Sequence, residues 1–88
     1  MHYNQLKLRV LRILSSGTTD SSAVAAALSD SGVQLDMHAI RMALMRYYKQ
    51  GLLRRERKLG VYSYELSERG VRRLAWLESI QQPLADVD

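Results

Sequence analysis

From residue 3 to residue 15, Leu6, Val10, Ile13 and Leu14 fall at i, i+4, i+7 and i+8. That spacing places an apolar stripe on one helical face. Ser15-Ser16-Gly17 ends the predicted helix, with Gly17 suited to the residue after a helix terminus. Leu8 and Leu11 miss the stripe. A shorter helix is expected near residues 20–28, where Thr18, Thr19 and Asp20 are all candidate N-caps and Ala23-Val24-Ala25-Ala26-Ala27-Leu28 is strongly helix-forming. Ser29-Asp30-Ser31-Gly32 then reads as a turn.

A third helix is predicted from Asp36, as N-cap, to the region of Gln50, where Gly51 stops it. Met37, Ile40, Leu44, Tyr47 and Tyr48 form its inward stripe; His38, Met42, Met45, Arg46 and Lys49 lie on the opposite face. Two strand-like runs follow, 52–58 and 61–66, joined by Leu59-Gly60. Tyr62, Tyr64 and Leu66 alternate as a half-buried strand requires, and a two-residue connection containing glycine suits a hairpin. Ser67 is placed to cap a fourth helix that Pro83 would close. Its core stripe is predicted to be Val71, Leu74 and Ala75, with Trp76, Leu77 and Ile80 wrapping beyond it.

A chain of 88 residues supports one domain with a modest core. The expected division is a domain over residues 1–82 and a tail over 83–88. Cysteine is absent, which removes disulfides, thiolate metal sites and a catalytic thiol. Met1-His2-Tyr3-Asn4-Gln5-Leu6-Lys7 has neither the basic flank nor the apolar run of a signal peptide. No apolar run approaches the roughly 20 residues of a membrane span. The expectation is a soluble, cytoplasmic protein without a membrane association.

Charge changes the picture more than composition does. Residues 41–73 hold Arg41, Arg46, Lys49, Arg54, Arg55, Arg57, Lys58, Arg69, Arg72 and Arg73 against Glu56, Glu65 and Glu68. Residues 1–40 are balanced, and the last fifteen carry only Glu78, Asp86 and Asp88. A positive field confined to one third of the chain suits a phosphate-rich partner; an ordinary solvated cationic surface is the plainer reading.

The run Met42-Ala43-Leu44-Met45-Arg46-Tyr47-Tyr48-Lys49-Gln50-Gly51-Leu52-Leu53-Arg54-Arg55 resembles the stretch where a winged helix-turn-helix domain passes from recognition helix to wing. Tyr64-Glu65-Leu66-Ser67-Glu68-Arg69-Gly70 is similar to the return from wing to last helix in MarR-like and PadR-like regulators. The resemblance implies an α+β, mostly helical winged helix-turn-helix with a three-helix core, a two-stranded wing and a C-terminal helix. Leu52 and Leu53 would root the wing in the core, and Gly70 would let the last helix approach a neighbouring element. The segment 29–35 is longer than the turn of a minimal helix-turn-helix, and no glycine-aromatic pair of the PadR kind opens the second helix.

The resemblance further implies double-stranded DNA as the partner, with the third helix in the major groove and the wing on the backbone or in the minor groove. The candidate contacts are His38, Arg41, Met42, Met45, Arg46 and Lys49 on the helix and Arg54, Arg55, Arg57 and Lys58 on the wing. Met42 and Met45 would meet thymine methyls or a protein surface; His38 is a donor to DNA or a surface residue without a role. Of the amides that read adenine, only Gln50 is near this face, at the fraying end of the helix. In a strand, Arg55 and Arg57 share one face and Arg54, Glu56 and Lys58 the other, so only part of the cluster can face DNA; a solvated strand edge is the alternative. The surplus apolar residues Leu8, Leu11, Trp76, Leu77 and Ile80 predict a homodimer interface. The function expected is transcriptional regulation, with a protein-interaction module of the same fold as the alternative. No nucleophile–base spacing, phosphate loop, paired carboxylates or metal-ligand cluster points to an enzyme, a cofactor or a metal.

Overall fold

Two aspartates open the two central helices. The computed structural model describes residues 3–81, in the order α1 (Tyr3–Leu14), β1 (Thr19–Asp20), α2 (Ser21–Asp30), α3 (Met37–Lys49), β2 (Leu53–Lys58), β3 (Val61–Leu66) and α4 (Glu68–Gln81). Asp20 Oδ1 accepts from the Ala23 N–H at 2.9 Å and Asp36 Oδ1 from the Ala39 N–H at 2.7 Å. Each satisfies an orphan donor of the first turn and places negative charge at the positive end of the helix dipole. Pro83 and the expected tail lie outside the described residues.

Helices α2 and α3 end alike. Val33 N–H donates to Leu28 C=O and Gly32 N–H to Ser29 C=O; Leu52 N–H donates to Tyr47 C=O and Gly51 N–H to Tyr48 C=O. These are the paired bonds of the Schellman motif. They require a left-handed residue, which Gly51 supplies at φ 79°. The second motif turns the chain straight from α3 into β2, with Tyr47 and Leu52 both buried across the turn.

The strands form an antiparallel sheet in the order β1-β3-β2. The hairpin β2–β3 holds the register Leu53↔Leu66, Arg55↔Tyr64, Arg57↔Tyr62 and Lys58↔Val61. Its two-residue loop has positive φ at both positions, 52° at Leu59 and 79° at Gly60, the pattern of a type I′ turn. Leucine in that left-handed region costs about 1–2 kcal/mol relative to an ordinary conformation. Strand β1 is a third strand that periodicity did not predict. Two residues carry no alternation to read, and Thr19 and Asp20 register instead as cap candidates.

The core lies between α1, α2, α3 and α4 and the inner ends of the hairpin, with Val10, Leu11, Leu14, Val24, Leu28, Leu44, Tyr47, Leu52 and Leu77 almost wholly buried. Two helices are rotated from the predicted phase. On α1 the inward positions are Lys7, Val10, Leu11 and Leu14, with Leu8 also buried and Leu6 and Ile13 only partly so. On α4 they are Gly70, Leu74 and Leu77, whereas Val71 and Ala75 face outward. Leu8, Leu11 and Leu77 are therefore core residues of this chain rather than surplus apolar surface, at 7%, 0% and 1% exposure. Trp76 and Ile80 do stay outside, at 53% and 38%.

Gly70 is forced by contact. A β-carbon there would collide with the Leu52 carbonyl oxygen and come within 3.0 Å of the Leu52 carbonyl carbon. Ser67 locks the same junction: its N–H donates to Leu52 C=O, its hydroxyl donates to Gly51 C=O at 2.6 Å, and the hydroxyl oxygen accepts from Gly70 N–H at 3.0 Å. The obstructing atoms are backbone, so Gly70→Ala is expected to cost about 2–3 kcal/mol. In a domain of this size that is a fall in melting temperature of roughly 10–20 °C. A thermal unfolding curve checks it, and an unchanged midpoint would disprove the close approach.

Candidate nucleic-acid interface

The inward residues of α3, Ile40, Ala43, Leu44 and Tyr47, are buried. The helix geometry therefore turns His38, Met42, Met45 and Lys49 outward, and all four are exposed. Arg41 and Arg46 flank that face and are exposed as well. Arg46 and Lys49 lie in the last turn, where the dipole favours cations. Arg41 and Met45 also line a cleft of about 440 Å³, shared with Ser21 at the start of α2 and with Arg55 and Tyr62 of the hairpin. The outer flank of α3, the start of α2 and one face of the hairpin are thus one continuous surface.

That cleft settles which hairpin face turns toward α3. Arg55 contacts two aromatic rings, its guanidinium carbon 4.0 Å from the Tyr48 centroid and 4.3 Å from that of Tyr62. Arg57 follows on the same side, 5.8 Å from Tyr62. Tyr48 is in the last turn of α3, Arg55 on β2 and Tyr62 on β3, so a single side chain ties the helix to the hairpin. The other face is partly self-neutralised: Arg54 lies 3.6 Å from Glu65, and Lys58 3.1 Å from Glu56. Both pairs are solvent-exposed and add little to stability.

The same spatial arrangement recurs in solved structures. A PadR-like transcription factor from Bacteroides fragilis superposes with a TM-score of 0.84 at 18% identity, covering 94% of this chain and 85% of that one. F93 from STIV, described as a winged-helix DNA-binding protein, does so with a TM-score of 0.80 at 12% identity, over 93% and 92% of the two chains. The chain has the winged helix-turn-helix fold. A PadR family transcriptional regulator from Eggerthella lenta DSM 2243 is 26% identical, with a TM-score of 0.76 over 93% of this chain and 82% of that one. No protein-family model and no curated protein matches the sequence.

In that fold α3 occupies the position of the recognition helix and β2–β3 that of the wing. Of the predicted positions, His38, Arg41, Met42, Met45, Arg46 and Lys49 lie on the exposed side of the recognition helix, Arg55 and Arg57 on the wing face beside it, and Arg54 and Lys58 on the far face. Gln50 is engaged elsewhere: its side-chain oxygen accepts from Lys7 Nζ at 3.1 Å, which points it toward α1. The stacking role of Arg55 is not visible in the linear sequence. Tyr48 and Arg55 are separated by the helix stop, and only the Schellman turn brings them together.

An arginine stacked between two rings is not replaced by lysine, which has no planar face. Arg55→Lys keeps the charge and loosens the joint between helix and wing. Amide hydrogen exchange in β2 and β3 is expected to quicken about three- to tenfold, with the fold retained. Unaltered exchange would mean that the stack does not hold the wing.

Proposed function

We propose that this chain is a DNA-binding transcriptional regulator that lays α3 in the major groove and the wing along the adjacent backbone or minor groove. The observation that carries the reading is the single cationic surface formed by Arg41, Arg46 and Lys49 of α3 with Arg55 and Arg57 of the wing. Among the described residues no carboxylate stands in ion-pair range of any of these five. The fold shared with proteins described as PadR-like and winged-helix DNA-binding regulators supports it. The concentration of cations favours phosphate contacts as the main source of affinity, with few side chains able to read bases. Arg54 and Lys58, on the far face of the wing, would reach phosphates only after leaving their glutamates.

A chain that neutralises about five phosphates loses affinity as salt rises, at a log–log slope of roughly −4.5. Lys49→Ala should weaken binding to all duplexes alike and flatten that slope by about 0.9. Fluorescence anisotropy across a salt series reads both numbers. Absence of duplex binding at low salt would exclude the reading. It would leave the protein-interaction alternative, which draws its support from Met42 and Met45 exposed on the recognition helix.

We further propose that the chain acts in the cytoplasm as a symmetric homodimer through the outer side of α4. Among the described residues no helix is long and apolar enough to cross a membrane. Trp76 and Ile80 sit one turn apart on α4 and are both exposed, with the Arg73 guanidinium 5.5 Å from the Trp76 ring. Two copies joined there would offer two recognition helices to half-sites about one helical turn of DNA apart. Trp76→Asp is expected to give the monomer mass in light scattering with the fold intact, since Trp76 lies outside the core. A variant that remains dimeric would place the interface elsewhere.

A further inference from the structure

The wing tip carries a residue that the hairpin does not need. Leu59 is 102% exposed, and its φ of 52° lies in the region that leucine disfavours. A sequence serving only a type I′ turn would hold asparagine, aspartate or glycine there. An isolated exposed leucine is ordinary on a protein surface; an exposed leucine in a strained conformation at a projecting tip is not. The next residue, Val61 beyond Gly60, is also half exposed. Arg57 and Lys58 immediately precede the turn, so the apolar tip is reached along a cationic strand.

We propose that Leu59 is a minor-groove wedge, entering the duplex between two base pairs at a pyrimidine–purine step. This rests on the DNA-binding reading above. The charge pattern selects the occupant. Arg57 would lie against a phosphate bordering the groove, joined by Lys58 once it leaves Glu56, while the leucine side chain leaves water for the apolar faces of partly unstacked bases. TpA and CpA steps are the easiest to unstack, so the wedge supplies sequence preference without a hydrogen bond to a base. Minor-groove wedges kink a duplex toward the major groove, the side on which α3 would lie. The wing and the recognition helix would then read one deformation from opposite grooves.

The test compares the native chain with Leu59→Asn and Leu59→Phe. Asparagine suits the left-handed turn, so its melting temperature is expected to hold or rise and folding is not in question. The probe is a duplex recovered from a random pool by the chain itself, with a fluorescent adenine analogue, aminopurine, at its TpA steps. Native protein should brighten the analogue at one step as the base unstacks. Leu59→Asn should bind the same duplex about tenfold more weakly without brightening, and Leu59→Phe should restore both. Binding by the native chain with no brightening at any step would overturn the wedge and leave DNA binding standing, as would equal affinity and brightening in Leu59→Asn. Failure of the native chain to bind any duplex would overturn both readings and turn the exposed tip toward a protein partner.

Discussion

The backbone of Leu52 is shared by three elements, and the rest of the architecture depends on it. Its N–H closes α3 through Tyr47, and its carbonyl receives Ser67 N–H at the start of α4. Its side chain is buried in the core at the root of the wing. The same carbonyl occupies the space that a side chain at position 70 would fill. Peptide groups withdrawn from water must be bonded, and here the N–H and the C=O of one residue are satisfied by different helices. The recognition helix, the wing and the last helix therefore cannot pivot about this point without exposing an unpaired group or opening the packing around Tyr47. The angle between α3 and the wing is set in the free chain.

A second contact extends that control from the root of the wing along its length. The Arg55 guanidinium lies close to the rings of both Tyr48 and Tyr62. Several carboxylates among the described residues are engaged within the fold. Asp20 and Asp36 are taken up as helix caps, Glu78 pairs with Arg12, and Glu65 and Glu56 pair with Arg54 and Lys58. Asp20 nevertheless lines the cleft beside Arg41 and Arg55, its Oδ1 bonded to the first turn of α2, so one capped carboxylate lies within the cationic surface.

Much of this was legible in the sequence, and the failures have a common cause. The run from Asp36 to Gly70 could be read because its caps, glycines and alternation agree with one another. The phases of α1 and α4 could not, because one core position of each helix is held by a residue without apolar character. Lys7 is buried on α1, its ammonium bonded to Gln50 and 5.5 Å from the Tyr47 ring; Gly70 is buried on α4. A periodicity search skips both residues, rotates each stripe toward its neighbours, and then counts Leu8, Leu11 and Leu77 as surplus. The cations of the site were equally plain in the sequence. Their division between two wing faces became definite only once the register of β2 on β3 and the proximity of Tyr48 to Arg55 were known.

The makeup of the recognition face bears on how a sequence would be distinguished. On the DNA-binding reading, its most outward positions offer one lysine, one histidine and two thioethers. Gln50, the amide at the end of the helix, is turned toward Lys7. Bidentate amide contacts to adenine are therefore absent from this face, and the arginines flank it rather than crown it. Selectivity from base edges alone would be small for a single copy. It grows when the same contacts must be made at fixed positions along a duplex whose groove width and stiffness vary with sequence. A protein reading DNA in that way needs its cations at constant separation more than it needs particular base-reading side chains. On that reading the joint at Leu52 and the contacts of Arg55 supply that constancy, and rigidity would be the means by which modest contacts become selective.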